Sequence, residues 1–154
     1  MDLHIHDTDY VQYVFGLPKS VSTRGVFGPS GKLDHITTNY LYGNNDIVIM
    51  AEGGCIMAPS FGFEMSFNII LEHATIAYDC TRPVPFRICL AKGEPVVPEI
   101  DKRSGHMLEL IHFVKRLKGE AVPQVLTPED SLNSIRLILA EEKSAIKGKE
   151  IKIR

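Results

Sequence analysis

The first ten residues hold the densest group of side chains able to move protons or bind a metal ion. Two histidines, His4 and His6, and three aspartates, Asp2, Asp7 and Asp9, lie within eight positions of one another. Imidazole exchanges a proton near neutral pH and is also the commonest metal ligand among side chains. The segment could therefore hold a general base or a metal site, and its backbone conformation decides between the two.

A strand and a helix would distribute these groups differently. In a strand, alternate side chains share a face, so that His4 and His6 would point together like a chelating pair. In a helix, each residue advances by about 100°. His6 then lies with Asp2, Asp9 and Tyr13 in an arc of about 60°. The other side collects an apolar stripe: Leu3, Tyr10, Val11, Val14 and Phe15, with His4 among them.

The helix is the better interpretation because it separates a polar stripe from an apolar one. A stop signal also follows, with Gly16 at the end of the pattern and Pro18 two residues on. We predict a helix over at least Asp7–Phe15. His4 falls on the apolar side, which favours a core histidine over a ligand, and its divergence from His6 predicts no bound metal.

Composition places the chain among ordinary globular proteins. The 154 residues are 44% hydrophobic and 23% charged, with a formal net charge of −2, and a chain of this length is normally one domain. The charge gives no reason to expect nucleic acid or an anionic membrane as partner, and no apolar run could span a bilayer. The odd cysteines, Cys55, Cys80 and Cys89, lack metal-ligand spacing, which predicts reduced thiols in a cytoplasmic protein.

The pattern of turns and apolar residues predicts strands in the middle of the chain and helices towards its end. The predicted strands are Ser20–Phe27, His35–Tyr42, Ile47–Ala51, Met65–Leu71, Thr75–Tyr78 and Phe86–Leu90, and the residues Gly43-Asn44-Asn45-Asp46 mark a hairpin. Two helices follow, one from a Ser104 cap to about Lys118 and one over Pro128–Lys147, and 151–153 predict a last short strand. We expect Leu132, Ile135, Ile138, Leu139, Ala145 and Ile146 to form the buried stripe of the second helix.

This order predicts an α+β fold, an open and mainly antiparallel sheet with helices on one face, in a single domain covering 1–154. Too few helices are present to cover both faces of such a sheet. Apolar residues occur on both alternating sets of the strands, among them Phe61, Phe63, Phe67, Ile69 and Ile70. We therefore predict that the uncovered sheet face forms a homo-oligomer.

Several kinds of site are excluded by their missing motifs. Gly25, Gly28, Gly31 and Lys32 do not have phosphate-loop spacing, and no Gly-x-Gly-x-x-Gly follows a strand. The strand interpretation of residues 2–6 would match the Asp-x-His-x-His metal motif of amidohydrolases. Those enzymes need further ligands in a barrel longer than this chain. A fragment of a metal-dependent hydrolase stays open as an alternative, as does a non-catalytic dimerisation module.

The helical interpretation resembles the start of the C-terminal domain of the glucose–fructose oxidoreductase and inositol dehydrogenase family. The resemblance rests on Asp2-x-x-x-His6-Asp7-Thr8-Asp9, on the helix ending Phe15-Gly16-x-Pro18, and on the late Ser144-Ala145-Ile146-Lys147-Gly148. The order of a sheet, a helix, a capped helix and a last strand is similar as well. The resemblance therefore covers essentially the whole chain.

Such a resemblance implies one half of an NAD(P)-dependent dehydrogenase that acts on a sugar or polyol hydroxyl. It assigns catalysis to His6 and Asp2 and substrate binding to Asp9. Histidine suits the role because alcohol oxidation needs a base for the hydroxyl proton. The resemblance also implies an N-terminal Rossmann domain that holds the NAD or NADP. No such domain occurs in this sequence, so we expect the chain alone to bind no cofactor and to be inactive, as a piece of a longer protein would be.

Overall fold

The computed structural model describes residues 3–43 and 46–153. Its helices are α1 (His4–Phe15), α2 (Gly105–Leu117) and α3 (Pro128–Lys147). Its strands are β1 (Ser20–Phe27), β2 (Leu33–Leu41), β3 (Ile49–Gly54), β4 (Ser66–Ile70), β5 (Ala74–Asp79), β6 (Phe86–Leu90) and β7 (Ile151–Lys152). A short 3-10 turn covers Pro59–Phe61. The predicted elements are all present, and the predicted α+β fold with an open antiparallel sheet is confirmed.

The strands form two hydrogen-bonded sheets where the sequence predicted one. The first sheet has the order β3-β2-β1-β7 and the second has the order β4-β5-β6. Every strand pair among the described residues is antiparallel. The chain correspondingly divides into two compact units. The first runs to Ala58 and resumes at Gln124, and the second covers Pro59–Pro123.

In the first unit, α1 and α3 lie on one face of the four-stranded sheet. The face is set by the register, which aligns Val21 with Tyr40 and Tyr40 with Ile49. The core joins these residues to both helices and consists of Val11, Val21, Tyr40, Ile49 and Leu137. The hairpin predicted between β2 and β3 is confirmed by their pairing, although its Asn44 and Asn45 lie outside the described residues.

Helix α3 is defined by strong signals at both ends. Thr127 and Asp130 form a capping box, in which the Thr127 side chain accepts from the Asp130 amide and Asp130 accepts from the Thr127 amide. Pro128 occupies the first turn. At the other end, Gly148 has φ = 64° in the left-handed region that favours glycine, and its amide donates to the Ser144 carbonyl.

The second unit contains the three-stranded sheet and α2. Direct cross-strand partners share a face of a sheet, so the register gives β4-β5-β6 one fully apolar face. That face consists of Phe67, Ile69, Ala74, Ile76, Tyr78, Phe86, Ile88 and Leu90. The opposite face is mixed, with Asn68, Thr75 and Arg87 among its members. Ser104 caps α2 by accepting from the Met107 amide, as predicted, but no residue of α2 is buried.

Candidate active site on the first helix

The predicted helix over Asp7–Phe15 is confirmed and begins earlier, at His4. Its buried side chains are His4, Thr8, Val11 and Gln12. Thr8 follows His4 by four residues, and Val11 and Gln12 follow Thr8 by three and four, which places them on one face of the helix. The face is therefore largely polar. The predicted apolar stripe is wrong in this respect, because Leu3, Tyr10, Val14 and Phe15 are all more than a third exposed and only Val11 is buried.

The predicted site residues have different surroundings. His6 is exposed on α1. Asp9 is half-buried, and its Oδ1 accepts a hydrogen bond from the Ser134 hydroxyl at 2.6 Å. Asp2 lies outside the described residues. The structure thus leaves the imidazole of His6 accessible, whereas Asp9 has one carboxylate oxygen turned towards α3.

His4 and His6 lie on opposite sides of the helix. His4 is only 2% exposed, in agreement with the prediction of a core histidine. The helical backbone separates the two imidazoles, whereas the Asp-x-His-x-His interpretation needs a strand that brings them together. Among the described residues, no group of three or more histidine, cysteine or acidic side chains is arranged to hold a metal ion.

The inner face of α1 meets α3 through hydrogen bonds. Thr8 Oγ1 donates to Glu141, at 3.1 Å from Oε1 and 3.3 Å from Oε2. Thr8 Oγ1 also lies 3.1 Å from the Tyr40 hydroxyl of β2. One turn further along, Gln12 Nε2 donates to the Asp130 carbonyl at 3.0 Å. These contacts fix the inner face of α1, so that the outer face with His6 is presented on a rigid element.

His4 lies between two carboxylates. Its Nδ1 is 3.1 Å from Asp7 Oδ2, and its Nε2 is 3.4 Å from Glu141 Oε2. The first contact is a hydrogen bond, whereas the second is an ion-pair contact without hydrogen-bond geometry. Burial alone disfavours the charged imidazole, but the contacts with Asp7 and Glu141 outweigh it and raise the pKa of His4 to about 9. His4 is therefore a cation at neutral pH.

Sequence reasoning missed Thr8, Gln12 and Glu141, and the reason lies in α3. The predicted buried stripe of that helix is largely wrong: Leu132, Ile135, Leu139 and Ile146 are exposed, and Ile138 and Ala145 are only half-buried. The buried residues are Ser134, Leu137, Glu141 and Ser144. Their spacing of three, four and three residues is itself helical, and this mixed polar stripe is the signal that could have identified Glu141.

Comparison with known proteins places this arrangement in a fold. No protein-family model matches the chain, and no curated protein matches its sequence. Solved structures do match. WlbA dehydrogenase from Chromobacterium violaceum, solved with NADH and UDP-GlcNAcA, has a TM-score of 0.78 at 19% identity. The match covers 100% of this chain and 45% of that one.

Two further matches have the same character. Levoglucosan dehydrogenase, solved with NADH and levoglucosan, has a TM-score of 0.77 at 18% identity over 99% of this chain and 49% of its own. YvaA of Bacillus subtilis, described as an oxidoreductase, has a TM-score of 0.73 at 17% identity over 99% of this chain and 51% of its own.

The chain has the fold of about half of these oxidoreductases. It spans about half the length of the solved structures that it matches. The matched structures are oxidoreductases, and the sequence of residues 2–18 and 144–148 resembles proteins of the same class. No described helix is long and apolar enough to cross a membrane.

Proposed function

We propose that this chain is the C-terminal, substrate-binding domain of an NAD(P)-dependent oxidoreductase acting on a sugar or polyol hydroxyl. The observation that carries the proposal is the match of essentially the whole chain to about half of dehydrogenases solved with NADH and sugar ligands. The position of His6 adds support, because an exposed imidazole on an anchored helix can reach a substrate hydroxyl.

The chain itself does not fit the nucleotide. A dinucleotide site needs a parallel βαβ unit with a Gly-rich turn at the start of its helix. All strand pairs in the described part of the chain are antiparallel, and the sequence has no Gly-x-Gly-x-x-Gly after a strand. The hydride acceptor therefore belongs to a separate nucleotide-binding domain, which we expect to be encoded upstream of Met1.

The contribution of this chain is proton transfer and substrate binding. Oxidation of an alcohol to a carbonyl removes a hydride from carbon and a proton from the hydroxyl. In the proposal, His6 accepts that proton as a neutral imidazole. Asp2 orients the imidazole or binds a second hydroxyl, and Asp9 binds the substrate through the carboxylate oxygen that does not accept from Ser134.

The test is an assay of the longer protein that contains this chain. We expect substrate-dependent formation of NADH or NADPH with a member of a panel of free sugars, polyols and nucleotide sugars. His6→Ala should lower turnover by roughly 10²–10⁴-fold, the usual effect of losing a general base. His73→Ala is the matched control, since its side chain is 86% exposed and lies outside α1.

Two outcomes would contradict the proposal. One is an in-frame stop codon directly upstream of Met1 with no nucleotide-binding domain encoded beside it, which would favour a non-catalytic dimerisation module. The other is a longer protein whose turnover is the same in His6→Ala and in the wild type, which would remove His6 from the reaction.

A further inference from the structure

A buried charged cluster lies between α1 and α3, and the proposed reaction does not use it. Glu141 is fully buried and His4 is 2% exposed. Asp7, the third charged member, is partly exposed, with 40% of its side chain accessible. A buried carboxylate is costly unless it is paired and hydrogen-bonded. The buried carboxylate of Glu141 is therefore stable only while its partners on α1 stay in place.

Each partner of Glu141 comes from the first two turns of α1 or is linked to them. Glu141 Oε2 lies 3.4 Å from His4 Nε2, and both carboxylate oxygens accept from Thr8 Oγ1. Thr8 in turn contacts the Tyr40 hydroxyl. One residue of α3 thus contacts α1 at two positions four residues apart, which fixes both the depth and the rotation of the helix start.

Among the described residues, the other elements around the cluster bring no further charged group into contact with His4 or Glu141. From β3 the inward-facing residues are Ile49, Ala51 and Gly53, all uncharged. Gly53 approaches so closely that a Cβ there would lie 2.8 Å from His4 Nδ1 and 2.8 Å from Asp7 Oδ2. From β2, Tyr40 contacts the cluster through Thr8, and burial and Glu141 raise its pKa well above its ordinary value. The other titratable groups of β2 are Asp34, whose carboxylate accepts from the Ser30 amide, and His35, which pairs with Glu52. Within the described part of the chain, neutralising Glu141 would leave Asp7 as the one carboxylate paired with the His4 cation.

We propose that Glu141 is a positioning residue which, through His4 and Thr8, holds the turn of α1 that presents His6. His4 and His6 lie two residues apart in that turn, one directed into the cluster and the other exposed. Any slip or rotation of α1 that releases His4 from Glu141 also moves His6. The effect on catalysis rests on the proposed function. The anchoring of α1 through the contacts of Glu141 with His4 and Thr8, called the lock below, does not rest on it.

The first test measures the lock in this 154-residue chain, by amide hydrogen exchange of Glu141→Gln at neutral pH. We expect exchange between Thr8 and Val11 to rise by about tenfold or more, while β1 and β2 stay protected. Glu142→Gln is the matched control, as the adjacent carboxyl on the same helix, and should leave α1 unchanged. Unchanged exchange at α1 in Glu141→Gln would overturn the inference.

A second variant keeps the proposal testable if Glu141→Gln does not fold. In His4→Gln/Glu141→Gln both charges are removed together, so that no unpaired ion is buried. In the wild type, exchange at α1 relative to its intrinsic base-catalysed rate should increase as pH rises through about 9, where His4 loses its proton. The double variant should lose this increase. If it keeps the pH dependence of the wild type, His4 and Glu141 are not its source and the proposal fails.

The kinetic test uses the longer oxidoreductase. Glu141→Gln should lower kcat by about tenfold or more with a smaller change in KM. In the wild type, kcat should decline at alkaline pH as His4 loses its proton. In Glu141→Gln this decline should move to lower pH, because a charge that raises the pKa of His4 is gone. Wild-type kcat and pH profile in this variant would overturn the positioning role. A wild-type protein without dehydrogenase activity would instead refute the proposed function, and hydrogen exchange would still decide the lock.

Discussion

His4 is a cation that the fold holds in place, although a histidine with few neighbours would be half-neutral near pH 6.5. Its two ring nitrogens face Asp7 and Glu141, and it has almost no access to solvent. The unfolded chain lacks these contacts, so His4 binds its proton more tightly in the folded state. The stability of the fold is therefore linked to the protonation of one residue.

The sign of this linkage gives a prediction. The pKa of His4 is raised from 6.5 to about 9 on folding, so its contribution is complete below pH 6.5 and is lost as pH rises through 9. We expect the free energy of unfolding to fall by at most about 3 kcal/mol across that range. Urea unfolding at several pH values measures it. His4→Gln should flatten the dependence, whereas exposed His73→Gln should retain it.

Gly53 gives a second prediction at the scale of single residues. A methyl group there would meet His4 and Asp7 at 2.8 Å each, and those side chains cannot move aside without breaking their hydrogen bond. Gly53→Ala should therefore destabilise the fold by about 1–3 kcal/mol, the usual cost of overpacking. Gly105→Ala has nothing within 4 Å of the new Cβ and should cost nothing. Equal urea midpoints for the two variants would show that the site is not tightly packed.

At the scale of elements, helix ends could be predicted from the sequence but helix faces could not. The pattern Thr127-Pro128-Glu129-Asp130 and the terminal Gly148 correctly bound α3, because caps depend on neighbouring residues only. Its buried face depends on residues more than a hundred positions away. Glu141 is buried because it pairs with His4 and accepts a hydrogen bond from Thr8. The apolar periodicity of α3 instead predicted burial of a side that is mostly exposed.

The cap of α3 is directly testable. Thr127→Ala removes the side-chain oxygen that accepts from the Asp130 amide at 3.1 Å and should destabilise the chain by about 0.5–2 kcal/mol. Thr127→Ser keeps the oxygen and should stay close to the wild type. The measurement is the urea midpoint at constant slope. A Thr127→Ser variant as unstable as Thr127→Ala would assign the effect to the lost methyl group instead of the cap.

At the scale of the whole molecule, the predicted homo-oligomer stays a prediction, but the register changes the residues expected to form it. The outer face of the first sheet is mixed. It carries the polar Arg24, Asn39 and Glu52 beside the exposed apolar Val26, Leu41 and Met50. The apolar face lies in the second sheet and includes Phe67 and Ile69. Ile70 points to the other face, and Phe61 and Phe63 lie outside the strands.

Ile76 lies on the central strand of that apolar face, which makes it the test position. We expect light scattering to show a dimer or larger assembly of the 17.2 kDa chain. Ile76→Glu should shift it to the monomer, because a charge would be buried in the interface. Ala77→Glu, on the opposite face beside Arg87, should leave the assembly intact. A monomeric wild-type chain would contradict the predicted homo-oligomer.

The division of the chain also imposes an order on its folding during synthesis. The second unit is one continuous segment, whereas the first is interrupted by it and needs residues from both sides. On the ribosome, α1 and β1–β3 emerge early, but the α3 residues that cover them appear only after Gln124. The inserted unit can fold as soon as it emerges, because domains fold as units during translation. Until α3 has been synthesised, the polar inner face of α1 lacks its hydrogen-bond partners on that helix. During this interval α1 is accessible to chaperones and proteases.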